Sequence, residues 1–327
     1  MGKLKEHLSK KIPDWRYNYR QLLDEKGDQV TSTVTINTAY SGMKGVKGMI
    51  CDTSSVTADA GLHVRGKHIL DLVDLKPEEI LYLLLIGELP NEEELLDLQH
   101  ELKERSVVPD YVWKVLSGMP KDSHPMAMFN TAILSMQKES KFAEAYDLVV
   151  SKGDYWESTL EDGLNIIAKL PAIGAAVYRL RFEKGDRLEA GDSVDWSENF
   201  LQMMGLDYSN DMLKMMQLYL MLHCDHEGGN VSTFSALTVN SALSDPYYSL
   251  SAGLNGLAGP LHGLANQNNL KFVLDIIEHY NGVPSDEQLK EFSWDRLNSG
   301  KVIPGYGHAV LRLSLIHISE PTRLAGI

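Results

Sequence analysis

Three short segments concentrate the side chains that could do chemistry, and each sets a histidine beside glycine. The first, His223-Cys224-Asp225-His226-Glu227-Gly228-Gly229-Asn230, gathers imidazoles and carboxylates where an apolar helix ends. His223 and His226 are three residues apart and could share a metal on one helix face. The order is not His-Glu-x-x-His, however, and no third ligand stands nearby. A capped helix end with satisfied histidines is the competing reading. The second segment is Gly259-Pro260-Leu261-His262-Gly263. His262 comes just ahead of a helix expected to begin near Leu264, and the positive end of that helix disfavours imidazolium, so the ring is expected to be neutral. A neutral imidazole can donate to an oxygen on which charge develops; a turn histidine without a role is the alternative. The third segment is Pro304-Gly305-Tyr306-Gly307-His308-Ala309-Val310-Leu311-Arg312. Gly305 and Gly307 free the backbone for close approach to a ligand, but position 310 is Val, so a dinucleotide-binding fingerprint fails. Arg312 could meet a phosphate or be a solvated surface cation.

A fourth stretch, Gly42-Met43-Lys44-Gly45-Val46-Lys47-Gly48, fits an anion-binding loop or a flexible turn. No Ser/His/Asp order or Cys/His pair stands out. Histidines 226, 262 and 308 together suit chemistry at a carbonyl, where a developing enolate oxygen needs hydrogen-bond donors.

The elements that must position these residues read as helices. Asn91 with Glu94 forms a capping-box pattern ahead of Leu95, Leu96, Leu98 and Leu102. Pro77 suits a first helical turn and Gly87 a helix end. A long helix is expected over 160–182, broken or kinked at Pro171. Residues 212–222 are apolar on nearly every side, which predicts burial all round. Further helices are expected over 245–257 and 264–280, with Ser285 and Gln288 capping another. Weak alternation over 31–37, with 48–52 as a partner, predicts a small N-terminal sheet. The fold class is therefore mostly α with a small β element. The glycines of 253–263 mark the expected domain hinge.

The chain has 327 residues, 43% of them apolar, long enough for two domains. A net charge of −14 argues against nucleic acid and requires a local basic cluster for any polyanionic ligand. No apolar run reaches membrane-spanning length. Two cysteines give no disulfide framework, which fits a reducing compartment.

The segments 223–232 (HCDHEGGNVS), 243–267 (LSDPYYSLSAGLNGLAGPLHGLANQ) and 301–312 (KVIPGYGHAVLR) resemble citrate synthase of the type found in eukaryotes and some bacteria, as do 42–48, 63–69, 123–133 and 166–179. The resemblance implies a helical homodimer whose large domain (1–263) and small domain (264–312 here) close over substrate. The implied reaction condenses acetyl-CoA, as substrate rather than cofactor, with oxaloacetate and water to give citrate and CoA; no separate cofactor and no metal are expected. By matching position, His262 would hydrogen-bond the acetyl oxygen as the enol forms, and His308 would polarise the oxaloacetate carbonyl. His226 would position substrate, with Asn230 in support. Val302, Ile303, Pro304, Gly305, Tyr306 and Gly307 would face the adenine of CoA, and Arg312 a phosphate. Lys44 and Lys152 stand where relatives often carry arginine; lysine keeps the charge and loses the bidentate fork. A 2-methylcitrate synthase using propionyl-CoA would share the three histidines, and a ligand-binding remnant without turnover would share the fold.

Residues 313–327 (LSLIHISEPTRLAGI) match nothing in the family pattern and read as an aberrant, artefactual tail. The family's catalytic aspartate and further substrate-binding arginines would follow Arg312, so the chain as written is expected to turn over poorly. With family-like sequence beginning near residue 4, a bacterial cytoplasmic location is expected over a mitochondrial one.

Overall fold

A computed structural model describes residues 2–41, 46, 48–57, 61–260 and 262–304. In chain order the α-helices are α1 (Lys3–Lys26), α2 (Ile36–Tyr40), α3 (Pro77–Ile86), α4 (Glu92–Arg105), α5 (Asp110–Ser117), α6 (Pro125–Ser135), α7 (Lys141–Asp147), α8 (Tyr155–Arg181), α9 (Trp196–Met204), α10 (Asn210–Leu222), α11 (Val231–Asn240), α12 (Pro246–Leu257), α13 (Ala265–Tyr280) and α14 (Asp286–Asn298). A small antiparallel sheet, β1 (Ser54–Thr57), β2 (Gly61–Val64) and β3 (Lys67–His68), completes the mostly helical fold.

α8 organises the core because its apolar residues fall on two faces. Leu160, Leu164 and Ala168, spaced by four, pack with Leu4, Leu8, Tyr82, Ile86, Leu98 and Leu102 from α1, α3 and α4. Ile166, Ile173 and Val177 pack on the other side with α5, α6 and Tyr247 of α12. Pro171 lies inside α8, which runs on unbroken. A proline removes the bond that would satisfy the carbonyl four residues earlier. Here that carbonyl, Ile167 O, accepts from Trp196 Nε1 at 3.0 Å. A tertiary donor therefore replaces the missing one, and the expected break does not occur.

The helix ends largely follow the local rules. Asn91 and Glu94 form the expected reciprocal capping box, as do Ser285 and Gln288 ahead of the 13-residue α14. Pro77 begins α3, and Gly87 ends it in the left-handed conformation that glycine adopts without strain. Asp162 acts at a distance: from α8 it accepts from Ser140 Oγ (2.7 Å), Lys141 N (2.6 Å) and Phe142 N (3.1 Å), holding the start of α7.

Two further expectations fail. Residues 31–35 are irregular and 36–40 are helical, capped by Thr35, while the sheet lies later, at 54–68. Its β2–β3 turn places Arg65 and Gly66 at φ 47° and 78°, the paired left-handed geometry that joins antiparallel strands. Helix α10 is not buried all round: Met221 is its buried residue, and Met215 and Tyr219 are about half exposed (56% and 49%). Apolar composition alone does not identify what covers a helix.

Candidate active site

The His223–Asn230 segment is fastened at both ends. At the end of α10, His223 Nδ1 lies 2.6 Å from the Tyr219 carbonyl oxygen, and its ring stacks at 4.3 Å on the Tyr219 ring. A carbonyl only accepts, so Nδ1 carries the proton. Thr53 Oγ1 then donates to Asp225 Oδ2 at 2.6 Å, and Glu227 N to Ser54 Oγ at 2.6 Å. These bonds tie the segment to the first strand and its approach. Glu227 takes a left-handed φ of 41°, turning the chain toward α11. Asn230 caps that helix: its Oδ1 accepts from Thr233 N at 3.0 Å, and its Nδ2 donates to Thr233 Oγ1 and to Glu227 O. Half-buried His226 is carried between these fixed points. Among the described residues no three His, Cys, Asp or Glu side chains gather as a metal site.

Two glycines of 253–263 have a packing role. Gly253 and Gly256 sit inside α12 and face the first turn of α11. A Cβ at Gly253 would lie 3.1 Å from the Ser232 carbonyl oxygen, and one at Gly256 would lie 3.0 Å from Val231 Cγ1. Both contacts are tighter than ordinary side-chain packing, so the missing side chains let the two helices approach. The chain is non-helical at 258–260 and 262–264, where His262 N donates to Gly259 O at 3.0 Å. Gly263 is required more strongly, because any Cβ there would run into the Leu257 carbonyl oxygen.

This close packing brings His262 to Ser232. The two are joined by a 2.7 Å hydrogen bond between Nε2 and Oγ, thirty residues apart in sequence. Burial holds the His262 imidazole below the usual histidine range. The ring is therefore biased to the neutral form, as its sequence position suggests, with desolvation as the cause. Ser232 is a site residue that the sequence motifs leave unmarked. The signal that could have found it is the pair of glycines three apart on α12, which marks where a neighbouring backbone comes close.

Asn230, Ser232 and His262 thus gather at the first turn of α11, and His226 lies four residues before Asn230 in the segment that leads into it. Lys152 stands elsewhere, in an exposed turn leading to α8, beside Gly153, whose carbonyl accepts from Arg16 of α1. Val302 is exposed, Ile303 and Pro304 are half-buried, and the Val302 carbonyl accepts from Arg296 Nε at 2.8 Å. Lys44, Gly305, Tyr306, Gly307, His308, Arg312 and the 313–327 tail lie outside the described residues.

A neutral, partly buried imidazole held by a hydroxyl can donate to a developing oxyanion. Comparison with known proteins identifies the family. The family model "Citrate synthase, C-terminal domain" matches residues 42–314. Citrate synthase 4, mitochondrial, of Arabidopsis thaliana is 41% identical over 319 residues, covering 94% of this chain and 67% of the relative. The peroxisomal citrate synthase of Saccharomyces cerevisiae is 42% identical, at 94% and 69% coverage. The chain thus spans about two thirds of the length of these relatives. The crystal structure of citrate synthase from Pyrobaculum aerophilum superposes with a TM-score of 0.74 at 28% identity, covering 86% of this chain and 70% of that one. That of Thermoplasma acidophilum, a ternary complex with carboxymethyl coenzyme A and oxaloacetate, gives 0.71 at 25% identity, covering 86% and 69%. By sequence and by fold, the chain belongs to the citrate synthase family.

Proposed function

We propose that this protein is a citrate synthase subunit, condensing acetyl-CoA with oxaloacetate and water to give citrate and CoA. The observation that carries the reading is the Ser232–His262 pair, a partly buried imidazole biased to neutrality at the motif that matches the family. If the Ser232 hydroxyl donates to Nε2, the ring proton sits on Nδ1 and is free to donate to the thioester carbonyl. Removal of a methyl proton by the base gives an enolate whose oxygen accepts that hydrogen bond. The enolate carbon attacks the oxaloacetate ketone, whose oxygen takes up a proton as the carbon–carbon bond forms, and water then cleaves the thioester and releases CoA. His226 is assigned to positioning oxaloacetate, and Asn230 to holding the segment that carries it. His308 is assigned to the ketone oxygen, with Val302–Gly307, Arg312, Lys44 and Lys152 assigned to CoA. The base is assigned to the part of the family fold that follows Arg312 in relatives.

The large and small domains divide at 263/264 in this reading, and the functional unit is a homodimer. Apolar side chains left exposed on α13, including Leu270 and Leu274 (59% and 53%), support further chain or subunit packing there. Light scattering that gives a monomer mass at micromolar concentration would refute the dimer. Cytoplasmic location remains a proposal that fits the low cysteine count; the relatives named above are mitochondrial and peroxisomal. Among the described residues no helix is long and apolar enough to cross a membrane. The test of function is oxaloacetate-dependent release of CoA thiol from acetyl-CoA by residues 1–312 completed with a relative's C-terminal third, followed with and without His262→Ala.

A further inference from the structure

A cavity of about 310 Å³ lies between α4, α5, α8, α9 and the loop joining α8 to α9. None of the proposed catalytic or substrate-positioning residues belongs to these elements. The volume is at the small end of small-molecule sites, roughly 300–1,000 Å³. Its floor is a run of small residues on α8, Ala168, Pro171 and Ala172. That floor presents no orphaned carbonyl at Pro171, since Ile167 O is taken by Trp196 Nε1. Trp113 and Trp196 stand in the walls.

The charged residues at the cavity come in balanced signs: Lys103 and Arg187 against Asp110 and Glu189. The Arg187 guanidinium lies over the Trp113 ring at 4.7 Å and pairs with Glu189 Oε1 at 2.5 Å, while Lys103 Nζ donates to the Asp192 carbonyl. The loop that carries Arg187 and Glu189 is fixed rather than free. Arg179 donates to the carbonyls of Lys184, Asp186 and Met204, spanning its start and the end of α9. A lone anion would meet the two carboxylates and a lone cation the two basic groups. Arg187, Glu189 and Lys103 already have internal partners, so a ligand carrying both charges next to an apolar body would exchange with the Arg187–Glu189 pair and keep the charges balanced, which a lone ion would not.

We infer that this cavity is a second small-molecule site, suited to a free amino acid with a bulky apolar side chain. The side chain would rest on Trp113, Trp196 and Pro171. The carboxylate would face Arg187 and Lys103, and the ammonium would face Asp110 and Glu189. Binding here does not depend on the condensation chemistry, so it is read by calorimetry on the intact chain. L-phenylalanine is the probe, with 3-phenylpropionate (no ammonium) and phenethylamine (no carboxylate) as controls. One saturable site is expected, at least about tenfold weaker for each control, a difference of about 1.4 kcal/mol. Arg187→Gln, at an exposed position, should leave the melting temperature unchanged and weaken binding by a similar factor. Ala172→Leu should fill the cavity and abolish binding. Absence of saturable binding up to on the order of 10 mM, equal binding of the controls, or binding indifferent to Arg187→Gln in a folded variant would each overturn the inference.

Discussion

At the scale of single residues, the central object is one imidazole and the hydroxyl that holds it. Burial lowers the His262 pKa, so the unfolded chain binds a proton there that the folded chain resists. The stability this ring contributes is fully present above the unfolded value of about 6.5 and is lost as pH falls through the lowered folded value. Nuclear magnetic resonance titration should find His262 titrating below an exposed histidine of the same chain. In Ser232→Ala its position and tautomer should both change, because Nε2 loses its 2.7 Å partner. A titration curve identical to that of the parent protein would mean the hydroxyl does not hold the ring. Gly263 is tested by a single methyl. Gly263→Ala should cost about 1–3 kcal/mol in denaturant unfolding, since the new carbon meets backbone rather than a yielding side chain. A buried acid gives the opposite pH sign. Glu78 is held above the usual carboxylate range by burial first, with Asp195 nearby adding to it, and its Oε2 has no partner. The folded state therefore keeps this proton longer than the unfolded chain. The associated stability is complete below the unfolded value and declines as pH rises through the folded one. Glu78→Gln should flatten that decline, seen as a melting-temperature difference from the parent that shifts in favour of the variant as pH rises from about 4.5 to 8.

At the scale of elements, long-range partners decide what local pattern cannot. The capping boxes at Asn91 and Ser285, the proline start of α3 and its glycine end were legible because each is set by neighbours three or four residues away. The break allowed for at Pro171 does not occur for the complementary reason: a donor that supports a continuous α8 there is Trp196, on another helix. Trp196→Phe keeps most of the packing and removes that N–H, leaving a part-buried carbonyl orphaned. A loss of about 1–3 kcal/mol is expected, and an unchanged unfolding midpoint would show that water or a shifted backbone takes over. The same logic explains the glycines of α12. In sequence they show only as potential helix breakers, and the fold adds that Gly253 and Gly256 let α11 lie close against α12. The histidine segments were visible as motifs, but the Ser232–His262 contact was not, since nothing in the local sequence links position 232 to position 262.

At the scale of the whole molecule, the architecture is a helical body organised on both faces of α8, with the α11–α12 contact carrying the histidine site. A net charge of −14 means that any affinity for CoA must come from a local basic cluster rather than from the overall field. Raising salt should therefore weaken CoA binding through screening of close pairs, without the steep dependence seen for broadly basic proteins. The most direct test of the account is citrate formation by residues 1–312 joined to the C-terminal third of a curated relative, with that relative as positive control. The account predicts oxaloacetate-dependent release of CoA from acetyl-CoA, reduced on the order of 100- to 10,000-fold by His262→Ala. A folded chimera that releases no CoA while the relative does, or one indifferent to His262→Ala, would contradict it.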